Sequence, residues 1–139
     1  VEQLRTRKFP PSEIEGAIAR CEELDLLNDE RVAHRFVEVR AADRGWGPHR
    51  LAAELRQRGL SSGDAERLSD LSEELATDAM RTALRKIEVR APARWWRDGQ
   101  RRARMVSSLI TRGFEAEVAI AAVDDLAASR ENNHALDDQ

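Results

Sequence analysis

Apolar residues recur every three or four positions along most of the chain, which is the spacing of helices that bury one face. Two stretches show this most clearly. In residues 13–24 the apolar positions form one stripe, made of Ile14, Ala17, Ile18, Cys21 and Leu24. A second helix is predicted to begin at the capping residue Asn28, and it places Val32, Phe36 and Val39 on one face.

The break Gly45-Trp46-Gly47-Pro48 is predicted to end that helix, and Pro48 suits the first position of the next, where its missing N–H costs nothing. Gly59 suits the left-handed residue that closes this next helix. Farther along, the pattern predicts a helix over residues 64–75, one capped by Thr77 or Asp78, one over residues 94–112, and a last one from Phe114. The side chains expected to face inward there are Leu68, Leu71, Leu75, Met80, Leu84, Ile87, Val106, Leu109, Ile110, Phe114, Val118, Ala121, Ala122 and Leu126.

The composition favours an all-α fold. Ala, Leu, Arg and Glu are abundant and form helices readily, whereas runs of β-branched residues are scarce. Only three Phe and three Trp add bulk in 139 residues, and Tyr is absent. A chain with so few large apolar side chains favours small helical units that share interfaces over one deep core.

Parts of the pattern repeat. Residues 37–41, Val-Glu-Val-Arg-Ala, return 50 residues later as Ile-Glu-Val-Arg-Ala, and the motif Leu-x-x-Arg-x-apolar begins at Leu4, Leu55 and Leu109. A period of about 50 residues is typical of stacked helical units. We therefore predict an elongated, curved array of tandem three-helix repeats. It comprises an incomplete first repeat at 1–26, a second at 27–75, a third at 76–128, and a frayed acidic tail at 129–139.

These residues also resemble a known family. The segment LLNDERVAHRFVEVRAADRGWGPHRLAAELRQRGL resembles the middle of the RecX family, bacterial proteins that regulate the RecA recombinase. RKFPPSEIEGAIARCEELDLLNDER upstream and LITRGF near the end extend the resemblance over about Leu4 to Leu126. Lys8 and Asp25 depart from it where the family often has Gly, and Val32 stands where Phe is common. Val1 falls inside a family helix, so a further helix is expected upstream.

The resemblance implies tandem three-helix repeats that lie along the groove of the RecA–DNA filament. There the protein would inhibit ATP hydrolysis, strand exchange and filament growth, and so modulate DNA repair and recombination. The implied partners are the RecA filament and single- or double-stranded DNA.

Charge is segregated although the net charge is only −3. Residues 94–114 carry six basic groups against one acid, and residues 115–139 carry one against seven. Guanidinium groups suit bidentate pairing with carboxylates or phosphates, and adjacent Trp95 and Trp96 cannot share one buried face. The candidate binding residues are Arg40, Arg44, Arg50, Arg56, Arg58, Arg90, Arg94, Trp96, Arg97, Arg101, Arg102 and Arg104. The alternative is a set of surface arginines that pair with nearby acids.

Other classes of function find little support. His34, His49 and His134 are isolated, so no metal site is expected, and no phosphate-binding or nucleophile motif indicates an enzyme or a cofactor. The single Cys21 allows no internal disulfide, and no signal peptide or membrane-spanning run is found, so we expect a cytoplasmic monomer. Two alternatives stay open, namely a helical DNA-binding module that acts without RecA through arginine–phosphate contacts and a helical scaffold for another protein.

Overall fold

The computed structural model describes residues 30–137, which contain six α-helices and one short 3₁₀ turn. These are α1 (Glu30–Arg44), α2 (Pro48–Gln57), α3 (Ser62–Leu68), α4 (Glu73–Glu88), the 3₁₀ turn Trp95–Arg97, α5 (Gly99–Thr111) and α6 (Ala116–Asp137). No strand occurs between residues 30 and 137, and the all-α prediction is confirmed for this part of the chain. The predicted helix over residues 13–24 and the first repeat at 1–26 lie outside the described residues.

The helices form two groups of three, α1–α3 and α4–α6, and the two groups share one hydrophobic core. α2 packs against α3, α5 packs against α6, and α1 of the first group lies against α4 of the second. Both helices bury small side chains, since Ala33 and Ala41 of α1 and Ala79 and Ala83 of α4 are fully buried. Small residues let two helix axes approach closely. The repeat boundaries at 27–75 and 76–128 stay predictions, as do the elongation and curvature of the array.

The break between α3 and α4 differs from the prediction of one helix over residues 64–75. α3 ends at Leu68, and the Ser72 hydroxyl accepts a hydrogen bond from the backbone N–H of Leu75 at 3.2 Å, so that α4 begins at Glu73. Thr77 and Asp78 therefore lie inside α4 and do not cap it. A serine that satisfies a free N–H, with acids in the first turn, is a strong helix start, and it outweighed the leucine spacing.

The predicted helix over residues 94–112 is also divided. Trp95–Arg97 forms the 3₁₀ turn, and the Asp98 carboxylate then caps α5 by accepting hydrogen bonds from the backbone N–H groups of Gln100 and Arg101. Several side chains expected to face inward are instead exposed, namely Val39, Ile110, Val118 and Ala121. Pro48 does begin α2, and Gly59 is left-handed, with φ +100°, as predicted.

A close backbone contact joins the two groups. The N–H of Gly47 donates to the carbonyl of Arg112 at 2.8 Å, and the N–H of His49 donates to the carbonyl of Gly113 at 3.0 Å. A Cβ on Gly113 would lie 2.4 Å from the backbone nitrogen of Arg50, and one on Gly47 would lie 2.6 Å from the Gly113 carbonyl oxygen. Only glycine allows this approach, and we call the contact the glycine joint.

Two carboxylates fasten the end of α6 to the rest of the second group. Glu88 accepts hydrogen bonds from the Trp95 indole at 3.0 Å and from the Arg130 guanidinium at 2.7 Å. Glu131 accepts one from the Trp96 indole at 2.7 Å and two from Arg97 at 2.9 Å. The sequence predicts a frayed tail at 129–139, but these long-range bonds hold an ordered helix as far as Asp137.

The same bonds favour the charged form of both acids. Arg97 and then Trp96 lower the pKa of Glu131 from 4.5 to about 2. Arg130, and to a smaller extent Trp95, lower the pKa of Glu88, although burial opposes the shift. A carboxylate whose pKa is depressed on folding stabilises the fold at pH values above its unfolded pKa.

We expect Gly113→Ala to destabilise the protein by about 1–3 kcal/mol more than Gly59→Ala, because the new methyl group would overlap the Arg50 backbone. The two glycines have nearly the same φ, +103° and +100°, but nothing lies within 4 Å of a Cβ at Gly59. Comparing the two variants therefore separates the cost of steric overlap with neighbouring atoms from the cost of a left-handed backbone conformation. Urea unfolding followed by circular dichroism measures the difference, and equal losses would show that the joint tolerates a side chain.

We expect Glu131→Gln to lower the melting temperature at pH 7, and the gap to the parent to close as the pH falls from about 5 to about 2. The parent loses the contribution of Glu131 over this range because the carboxylate becomes protonated. Thermal unfolding at several pH values measures the gap, with Asp124→Asn, an exposed change on the same helix, as the control. A gap that persists at pH 2, or no gap at pH 7, would contradict the pairing.

Candidate partner-binding surface

Three guanidinium groups surround one indole ring at the connection between α1 and α2. The guanidinium carbon of Arg50 lies 4.6 Å from the centroid of the Trp46 ring, that of Arg44 lies 5.5 Å away, and that of Arg40 lies 5.9 Å away. Each such contact with the ring face contributes about 0.5–1 kcal/mol at an exposed site. The indole therefore offsets part of the repulsion between the three cations.

The arrangement continues along α1 to a second ring. Phe36 has Arg40 at 4.9 Å from its centroid and Arg58, which follows α2, at 4.8 Å. Arg40 therefore links the two rings. We call this set the aromatic–arginine cluster; it comprises Phe36, Arg40, Arg44, Trp46, Arg50 and Arg58.

Local sequence explains how the cluster is assembled. Phe36, Arg40 and Arg44 are spaced by four residues, which places them on one face of α1. Trp46 is positioned by the glycine joint that follows it, and its ring is half-buried against the core. Arg50 also pairs with Glu54 at 3.5 Å, one turn along α2. These guanidinium groups are thus ordered on rings before any partner arrives.

A second basic surface lies where α4 ends and α5 passes it. Arg90, Arg101 and Arg104 line a cleft of about 190 Å³ whose apolar wall includes Pro92 and Met105. All three arginines are exposed, and Arg101 lies 3.8 Å from Asp98. We call this surface the arginine cleft. Its chemistry suits an anion such as a phosphate or a carboxylate.

The remaining candidate residues lie apart from these two surfaces. Arg56 lines a separate groove with His49 and Arg67, and Arg102 is exposed on α5. Arg94 is exposed and left-handed, with φ +57°. Trp96 and Arg97 are both bonded to Glu131, so their polar atoms hold α6 in place.

The sequence indicated the arginines as binding residues but not the aromatic rings over which they lie. Phe36 was expected on the apolar face of α1 and Trp46 only in the break between α1 and α2, and neither was named as a binding residue. The signal for them was present in the spacing of Phe36 and Arg40 on one helix face and in the glycines that flank Trp46.

The described part of the chain offers neither a metal cluster nor a membrane span. Between residues 30 and 137, no group of three or more His, Cys, Asp or Glu side chains could hold a metal ion. Over the same range, every helix is too short or too polar to cross a lipid bilayer.

Part of the chain matches a known protein family. Residues 28–67, which contain the whole aromatic–arginine cluster, match the second three-helix domain of RecX. No solved structure matches the chain significantly.

Several regulatory proteins named RecX are similar to the chain. That of Pseudomonas syringae pv. tomato is 46% identical over 65 residues, which are 47% of this chain and 41% of that protein. That of Ectopseudomonas mendocina is 35% identical over 117 residues, 84% of this chain and 75% of that protein. That of Thermus thermophilus is 35% identical over 115 residues, 83% of this chain and 71% of that protein. With both its second three-helix domain and most of its length matched, the chain belongs to the RecX family of regulatory proteins.

Proposed function

We propose that this protein regulates the RecA recombinase by binding along the groove of the RecA–DNA filament. Bound there, it inhibits RecA ATP hydrolysis, strand exchange and filament growth, and it acts as a cytoplasmic monomer. The observation that carries the proposal is the aromatic–arginine cluster, which lies within the segment that matches the RecX second domain.

The cluster has the composition of a protein-binding hot spot. Trp and Arg are enriched at the residues that dominate binding energies. Guanidinium groups that are already held over Trp46 and Phe36 lose less freedom on binding than free side chains would, and this favours affinity. The matching partner is an acidic surface on a RecA protomer.

The arginine cleft gives the protein a second contact. One polymer offers repeated protomers and DNA phosphates, so a protein with two basic surfaces can engage it at two points. The second contact then forms at a high effective concentration, and two modest contacts give a strong one. In this proposal the aromatic–arginine cluster contacts RecA, and the arginine cleft contacts DNA phosphates.

A DNA-binding module that acts without RecA is the second candidate, and the arginine cleft favours it. That function requires affinity for DNA on its own, with a steep dependence on salt, because each phosphate contact releases counterions. RecA regulation instead requires an effect on RecA at protein concentrations well below those that coat the DNA. The two candidates are therefore separable by experiment.

We expect Arg40→Gln/Arg50→Gln to raise the concentration needed to half-inhibit RecA ATP hydrolysis on single-stranded DNA by about tenfold or more, since two hot-spot cations are lost. Arg85→Gln/Lys86→Gln removes the same charge from exposed positions on α4 and is expected to change it by less than about twofold. Circular dichroism checks that both variants fold. Equal inhibition by the two variants would exclude the aromatic–arginine cluster from the RecA contact.

We expect Arg104→Gln to reduce the salt dependence of single-stranded DNA binding, lowering the slope of log K against log salt by about 0.7, the value for one phosphate contact. Arg102→Gln, an exposed arginine on the same helix that does not line the cleft, is expected to change it less. Fluorescence anisotropy with a labelled oligothymidylate measures both slopes. If the two variants behave alike, the cleft does not hold a phosphate.

A further inference from the structure

An apolar groove of about 660 Å³ runs between α4 and α6. α5 packs against both helices, but α4 and α6 make little direct contact with each other, so the space between them is open. Met80 and Leu84 line it from α4, Val118 and Ala122 from α6, and Phe114 from the connection before α6. Val118 is 50% exposed there, although it is a large apolar side chain.

The rim of the groove is acidic. Glu73 of α4, Glu115 just before α6 and Asp125 of α6 line it, and Glu115 also lies 3.6 Å from Nε2 of His49. Arg81 lines it too, but this guanidinium is 3.1 Å from a carboxylate oxygen of Asp78. A ligand in the groove would thus meet an apolar floor between negative edges. The two arginine surfaces described above have the opposite charge.

The two walls are parallel helices. Glu73 at the start of α4 and Glu115 just before α6 line the groove, and farther along Glu88 of α4 accepts hydrogen bonds from Arg130 of α6. The residues of α4 that line the groove extend from Glu73 to Leu84, so the wall is about 17 Å long at the rise of an α-helix. A trough of this length between helices suits another helix with one apolar face.

We propose that the α4–α6 groove binds an amphipathic helix of a partner protein, with its apolar face on Val118 and Met80 and its flanks carrying Lys or Arg. The charge of the rim identifies the flanks, because basic side chains would face Glu73, Glu115 and Asp125. The same charge disfavours the matching α6 groove of a second copy of this chain, which would bring like charges, and it disfavours nucleic acid. This contact lies beyond the proposed function and uses neither arginine surface.

The test uses a labelled 16-residue helical peptide with Leu on one face and Lys on both flanks, and a second peptide in which Glu replaces each Lys. Fluorescence anisotropy with the full chain is expected to give an affinity at least tenfold tighter for the Lys peptide. Val118→Gln is expected to weaken the binding of the Lys peptide by about fivefold, because the peptide would no longer bury the exposed half of an apolar side chain. Ile120→Gln is the matched control, since Ile120 is 48% exposed on the same helix but does not line the groove.

Four results would overturn the proposal. The first is that the chain binds neither peptide at 100 μM, and the second is that it binds both equally. The third is that Val118→Gln and Ile120→Gln have the same effect. A concentration-dependent dimer that Val118→Gln dissolves would also overturn it, by assigning the groove to a second copy. None of these measurements involves RecA, so the groove can fail while the proposed function stands.

Discussion

Two backbone hydrogen bonds at the glycine joint hold the connection between α1 and α2 against the connection between α5 and α6. Around them, the second group also satisfies carbonyls at the end of α1. Thr82 donates to the carbonyl of Ala42 at 2.7 Å, and Arg112 donates to that of Arg44 at 3.2 Å. A helix end that is buried needs such donors. The joint therefore makes two small helical groups into one body, on which the aromatic–arginine cluster and the arginine cleft keep fixed positions.

Local signals predicted part of this fold and non-local bonds decided the rest. The spacing of Leu51 and Leu55 marked the buried face of α2, and both side chains are fully buried. On α1 the predicted face was Val32, Phe36 and Val39, but the buried residues are Ala33, Val37 and Ala41. The serine cap at Ser72 was visible in the sequence, but the leucine period around it favoured a continuous helix. The bonds of Glu131 to Trp96 and Arg97 join residues more than 30 positions apart, and a single sequence gives no sign of such pairs. This is why the ordered end of α6 was not predicted.

The candidate binding residues could also be predicted only in part from the sequence. Arginine content and spacing indicated a basic surface, and the structure brings Arg40, Arg44 and Arg50 together around Trp46. Long-range contacts decide whether an arginine stabilises the fold or contacts a partner. Arg97, for example, donates hydrogen bonds to Glu131 of α6. The net charge of −3 hides this arrangement, because basic surfaces and an acidic groove lie on one small body. Such segregation lets one protein contact partners of opposite charge.

Hydrogen–deuterium exchange of this protein, alone and bound to RecA filaments on single-stranded DNA, shows whether the aromatic–arginine cluster contacts the filament. Exchange slows where a partner covers or rigidifies a segment. We expect slower exchange in α1 and α2 around the aromatic–arginine cluster when the filament is present, and little change when only RecA without DNA is added. Unchanged exchange in both helices, with filament binding established independently, would contradict the proposed contact.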